Sequence, residues 1–240
     1  MNYSEDIWNG FKRLSFDADE REAFLVLPKT EKNGKWLLKT EYFGAFPDFE
    51  IEMLKRGYSL AYVSNSTRWH RESDDDAKAE LAVRLQKEFG LSDKCMPVGM
   101  SCGGMHAVYF AAKYPEYVAA LYLVAPVLNL LSCPCGVGEG TDEMYGEFLR
   151  DRGITVSQLI NYRSHPIDKV PALIMNRIPV FLVCGDSDGV VPYPENGEIL
   201  AQMYENSGVP FEKVVKPGCG HHPHGLSDLK PLIDFAEKYY

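Results

Sequence analysis

The sequence predicts an α/β fold: a mainly parallel, eight-stranded sheet with helices on both faces and a small helical cap insertion at about 127–177. Three observations carry this. Short apolar runs alternate with longer helix-forming runs from residue 47 onward, as in strands joined by crossover helices. A polar turn at 17–20 between two β-rich runs opens the chain with an antiparallel hairpin. Finally, 240 residues suffice for a single domain, which at this length buries about 70–75% of the surface of its unfolded chain.

The hairpin strands are residues 11–16 and 23–27. After Asn33-Gly34, residues 36–41 read as a third strand, running into the loop Tyr42-Phe43-Gly44-Ala45-Phe46-Pro47. A helix near 47–56 is stopped by Gly57, and a strand follows over 58–63. Residues 74–89 form a helix whose acidic start, Asp74-Asp75-Asp76, suits the positive end of the helix dipole, and Gly90 ends it. A strand over 95–100, a helix to Lys113 stopped by Tyr114-Pro115, and a buried strand over 119–126 come next. Residues 127–177 interrupt the rhythm with glycines, helical stretches over 142–152 and 155–160, and no clear strand. The alternation resumes with strand 179–184, helix 194–206, strand 211–216 and a last amphipathic helix over 227–239.

With 25 basic against 34 acidic residues, the formal charge is −9. Such a chain repels nucleic acid and anionic membranes, leaving a small molecule as the expected partner and a homodimer open. No apolar run approaches the roughly 20 residues of a membrane span, and Met1-Asn2-Tyr3-Ser4-Glu5-Asp6 lacks the layout of a secretory leader, so a cytoplasmic protein is expected. The six cysteines, Cys95, Cys102, Cys133, Cys135, Cys184 and Cys219, suit free thiols. Cys133-Pro134-Cys135 has no second pair at zinc spacing, and no cofactor or metal is expected.

Chemistry concentrates at Pro97-Val98-Gly99-Met100-Ser101-Cys102-Gly103-Gly104, an apolar strand breaking into glycines before a helix. A serine on so tight a turn adopts a strained backbone, so its neighbours two residues away, Gly99 and Gly103, need to lack a β-carbon. The turn lifts the Ser101 hydroxyl clear of the sheet and aims the Cys102 amide where negative charge can develop. A serine nucleophile needs a base, and the base an orienting acid. Two later strand ends offer them: Gly185-Asp186-Ser187-Asp188-Gly189 and Gly218-Cys219-Gly220-His221-His222-Pro223-His224. The histidines could also form a metal cluster, but Pro223 and the adjacency of His221 and His222 make one-face chelation awkward.

With serine, aspartate and histidine loops in that order, the whole chain resembles a serine α/β-hydrolase of the compact esterase-like group related to the prolyl-oligopeptidase catalytic domain. The resemblance is carried by Trp36 running to Phe43-Gly44-Ala45-Phe46-Pro47, by the glycine-flanked Ser101, and by Gly185-Asp186-Ser187-Asp188 through Val191-Pro192. The ending Gly218-Cys219-Gly220-His221-His222-Pro223-His224 completes it. It implies Ser101 as nucleophile, Asp188 as acid and His221 as base. Asp186, beside Gly185, is placed to close its turn, and His222 is held extended by Pro223. The chain departs from the pattern at Cys102, where relatives often carry a basic residue, and at Glu41-Tyr42-Phe43-Gly44, which replaces a His-Gly-Gly loop. The Phe43 amide is the expected second oxyanion donor beside Cys102, with Tyr42 the alternative.

The expected reaction is hydrolysis of small, short-acyl esters through an acyl-enzyme on Ser101, because nothing in the sequence supplies a large gating domain for peptides. A small-peptide or amide hydrolase is the alternative, and a non-catalytic binding protein on the same fold the rival of another class. Glu41 and His106 read as structural, His70 as a surface residue. Trp69, Tyr145, Phe148 and Tyr162 read as the core of the 127–177 segment rather than pocket walls.

Overall fold

Residues 3–240 are described by a computed structural model. Met1 and Asn2, part of the start read above as lacking a leader, lie outside it. Nine strands form one sheet: β1 Ser4–Trp8, β2 Phe11–Ala18, β3 Arg21–Val26, β4 Trp36–Lys39, β5 Ser59–Val63, β6 Met96–Met100, β7 Leu121–Val124, β8 Val180–Gly185 and β9 Phe211–Lys216, in the order β1-β2-β3-β5-β4-β6-β7-β8-β9. The β1–β2, β2–β3 and β3–β5 pairs are antiparallel; the β5–β4, β4–β6, β6–β7, β7–β8 and β8–β9 pairs are parallel.

The ninth strand, β1, corrects the expected eight. Ser-Glu-Asp-Ile-Trp is almost wholly exposed, so it lacks the apolar periodicity by which strands are recognised. Its pairing with β2 is made by the turn Asn9-Gly10, with φ of 47° and 83°, the Asn-Gly dipeptide that two-residue hairpins favour.

Among the described residues eight α-helices accompany the sheet: α1 Asp48–Lys55, α2 Glu72–Phe89, α3 Cys102–Lys113, α4 Tyr145–Arg152, α5 Val156–Leu159, α6 Val170–Met175, α7 Gly197–Glu205 and α8 Lys230–Tyr239. Strand residues alternate between two apolar layers, as their period of two demands. On one face Leu121 and Leu123 meet α2, α3, α6 and α7 through residues such as Leu85, Phe110, Leu173 and Leu200. On the other, Met96, Val98, Tyr122 and Val124 meet α1 and α8 through Phe49, Met53, Leu232 and Phe235. A third cluster joins Trp69, Cys102, Met105 and Val191 to Val127, Leu130, Phe148 and Leu159, which binds the 127–177 segment down onto the loops around the start of α3.

Strand order reverses at β4, which lies between β5 and β6 although the chain visits it before both. In parallel sheets the loops diverge above such a point and leave a crevice at the carboxyl ends of the strands. The loop after β4 and the turn after β6 flank it.

Candidate active site

Ser101 follows β6 in a strained positive-φ conformation, φ 54° and ψ −120°, at the N-terminus of α3. Neighbouring strand ends hold it there: its amide donates to Val124 O at 2.9 Å and its carbonyl accepts from Val127 N at 3.0 Å. Thr40, fully buried, donates from Oγ1 to Gly103 O at 2.7 Å and thereby ties the end of β4 to the elbow. A β-carbon on Gly99 would stand 2.7 Å from the Gly103 carbonyl carbon, whereas one on Gly103 would meet Glu41 Cβ at 3.1 Å, a tight but less forbidding contact. The stricter second glycine is Gly104, whose added β-carbon would overlap the Pro126 ring and lie 2.7 Å from its Cα. Gly104→Ala is therefore expected to destabilise the protein by about 1–3 kcal/mol through overpacking, measured by urea unfolding.

The structure brings Ser101, His221 and Asp188 into one line of hydrogen bonds. His221 Nε2 lies 3.1 Å from Ser101 Oγ, and its Nδ1 lies 2.8 Å from Asp188 Oδ2. The other Asp188 oxygen accepts the Val190 and Val191 amides, both at 2.9 Å. Burial opposes ionisation of Asp188, but the hydrogen bonds from His221, Val191 and Val190 outweigh it and hold the carboxyl below its usual range. A fixed carboxylate selects the tautomer that leaves Nε2 free to accept a hydroxyl proton.

Asp186 plays another part. Its Oδ1 accepts from Gly218 N at 2.7 Å and from Ser187 Oγ at 2.9 Å, tying the aspartate loop to the histidine loop. Asp186→Asn keeps a carbonyl acceptor at that place and is expected to leave kcat within about tenfold of the parent in a steady-state assay.

A cavity of 390 Å³ opens over Ser101, lined by Tyr42, Phe46, Arg68, Met100, Met144 and Val190 among others. The Tyr42 hydroxyl lies close enough to the Cys102 thiol to influence it. Burial, the larger influence, raises the Cys102 thiol to about 11 even though Tyr42 and Arg68 lower it, so at neutral pH it is a thiol and no rival nucleophile. Arg68 pairs with Glu147 of α4, which also accepts from Trp69 Nε1 at 3.1 Å. Of the proposed oxyanion residues, Cys102 sits at the first turn of α3, and Tyr42, with φ 54°, lines the cavity. The Phe43 ring turns away into a cluster with Trp8, Phe24 and Tyr62. Ala125, just after β7 beside the elbow, has positive φ as well, at 41°.

The histidines converge despite their awkward spacing: the rings of His221, His222 and His224 are 4.7–4.9 Å apart in every pairing. His222 and His224 also line the cavity, and the exposed Phe46 stacks on His222 and meets His224 edge-on. Burial and the two neighbouring histidines push His224 down to about 3.

Glu41 accepts from Asn65, which accepts from the buried Lys78; this anchored network, outside the cavity lining, fits its structural reading. His106 is fully buried, with Nε2 3.2 Å from Arg68 O. His70, expected at the surface, is buried instead: it pairs with Asp75 at 2.8 Å and stacks on Tyr109. The carboxylate supplies the partner that burying an imidazole requires. Trp69 and Phe148 are core, and Tyr145 and Tyr162 pack against the same cluster.

A family model described as the prolyl oligopeptidase family matches residues 54–240. Among solved structures, the chain is similar to Pyrococcus horikoshii acylaminoacyl peptidase, with a TM-score of 0.69 at 14% identity over 92% of this chain and 38% of that one. Porphyromonas gingivalis dipeptidyl peptidase 4 gives 0.68 at 13% identity, over 99% and 35%. Acetyl xylan esterase 1 from Thermoanaerobacterium sp. JW/SL YS485 gives 0.64 at 16% identity, over 99% and 86%. The chain thus spans little more than a third of each of these two peptidases. Its sheet is that of the α/β-hydrolase fold, and the chain belongs to the prolyl oligopeptidase family.

Proposed function

We propose that the protein cleaves small peptide or amide substrates through an acyl-enzyme on Ser101, with His221 as base and acid in turn and Asp188 as its orienting carboxylate. The hydrogen-bonded line from Asp188 through His221 to Ser101, within a chain of the prolyl oligopeptidase family, carries this reading. It replaces the ester preference expected from the sequence, because family membership and the similarity to acylaminoacyl and dipeptidyl peptidases favour the amide alternative. The Cys102 amide and the turn at Tyr42-Phe43 are proposed to receive the oxyanion. Residues 127–177 are proposed to act as a cap, since Thr141, Glu143 and Met144 form one side of the cavity. Six unpaired cysteines support a place in the reducing cytoplasm.

Short-acyl esters remain the second reading, favoured by the cavity's size and by the similarity to an acetyl xylan esterase. Aminoacyl and dipeptidyl p-nitroanilides compared with p-nitrophenyl acetate to laurate distinguish the two, each rate being divided by its uncatalysed rate. The larger acceleration is expected on the anilides; acceleration confined to acetyl and propionyl esters would establish the second reading. A fluorophosphonate is expected to label Ser101, and an unlabelled Ser101 would leave a non-catalytic binding protein.

A further inference from the structure

The three convergent histidines exceed what a catalytic base requires. Asp188 and Ser101 already partner His221, yet two more imidazoles stand against it, one exposed and one with a buried Nδ1 that has no hydrogen-bond partner. One potential ligand atom from each ring lies within 4.8 Å of the other two. A tetrahedral zinc site with Zn–N of about 2.05 Å sets its nitrogens about 3.3 Å apart, so side-chain rotation of at most about 1.5 Å closes the set. The Asp188 contact on Nδ1 is the outer carboxylate that metal-binding histidines usually have, and it leaves Nε2 as the ligand atom. Lys216 Nζ, donating to Pro223 O at 2.6 Å and Gly225 O at 3.2 Å, braces the loop.

We propose that His221, His222 and His224 bind a borderline-soft divalent cation such as Zn²⁺, and that the bound ion turns hydrolysis off. The ion takes the Nε2 lone pair with which His221 would accept the Ser101 proton, so metal and proton compete for one atom. His224 gains through its Nδ1 the partner it lacks, His222 swings from its stack on Phe46, and the fourth position opens to the cavity, where water completes the tetrahedron. Binding depends only on the geometry of the rings; inhibition rests also on the function proposed above, and the two are measured separately.

Binding is read in the Ser101→Ala protein with Co²⁺ as spectroscopic probe. One equivalent is expected to give the intense visible bands of a tetrahedral site, displaced by Zn²⁺ and lost in Ser101→Ala proteins that also carry His222→Ala or His224→Ala. No such bands, or bands indifferent to both substitutions, would overturn the site. In the active protein, Zn²⁺ is expected to inhibit reversibly, with chelator restoring the rate. His222→Ala and His224→Ala should each raise the half-inhibitory concentration at least tenfold, measured against that variant's own metal-free rate. His222, being exposed, provides a variant that folds should the His224 change fail. Activation by Zn²⁺, or inhibition abolished by Cys219→Ser instead, would refute the off-switch. A protein that binds Co²⁺ but hydrolyses nothing would overturn the proposed function and leave the binding site standing.

Discussion

Turnover by the Ser101→Ala protein is expected to fall about 10⁴- to 10⁶-fold with the fold intact. The change deletes the attacking oxygen and one 3.1 Å hydrogen bond to His221, while the backbone bonds to Val124 and Val127 that hold the elbow remain. Alanine also meets the same steric demand as serine at φ 54°. His221→Ala and Asp188→Asn are expected to cost at least about 10³-fold each, the former by removing the base, the latter by weakening the restraint on its tautomer. Their effects should overlap rather than multiply, because the three groups move one proton. Single-turnover kinetics with circular dichroism as the fold control checks this. More than 1% residual turnover in a Ser101→Ala preparation free of parent enzyme would move the nucleophile elsewhere.

The largest effect on stability is expected at Lys39. This lysine and Glu50 form an ion pair with side chains 0% and 1% exposed, and Lys39 Nζ also donates to Ala45 O at 3.1 Å. Lys39→Met strands a carboxylate in the core and should destabilise the protein by about 3–5 kcal/mol. Replacing both partners, as Lys39→Met with Glu50→Leu, removes the stranded charge and should restore much of that loss, a nonadditivity that urea unfolding of the double-mutant cycle would reveal. Additive losses would show that the pair is not coupled. Because Ala45 lines the cavity, the double mutant should recover stability more fully than activity.

The elbow and the parallel strands were legible because each follows from a local demand. Crowding at Gly99 forces glycine whatever surrounds it, and strands buried on both faces must be apolar along their length. The hydrogen-bonded line of Ser101, His221 and Asp188 was legible because its loops follow β6, β8 and β9; that order led to the resemblance, which then picked Asp188 and His221 from among their neighbours. What escaped depends on chain path. Gly104 is constrained by Pro126, 22 residues on in sequence, and the burial of His70 by a helix stacking Tyr109 above it. Nothing in the spacing of His221, His222 and His224 says that the loop folds their rings together. The choice between ester and amide was illegible for another reason: one triad serves both bonds, and family membership, which leans toward the amide, lies outside residue chemistry.

Tyr42, Ser101 and Ala125 follow β4, β6 and β7, three strands adjacent in the sheet, and all three have positive φ. Non-glycine residues held in this way cost about 1–3 kcal/mol each, so one edge of the molecule is an uphill region sustained by the layers beneath it. Thermostability and rate therefore draw on the same residues there. Selection for heat resistance that relaxes this edge with glycine would soften the very turns that present the nucleophile. Substitutions that raise the melting temperature without loss of rate should gather on the outer faces of α2 and α8, away from these three turns.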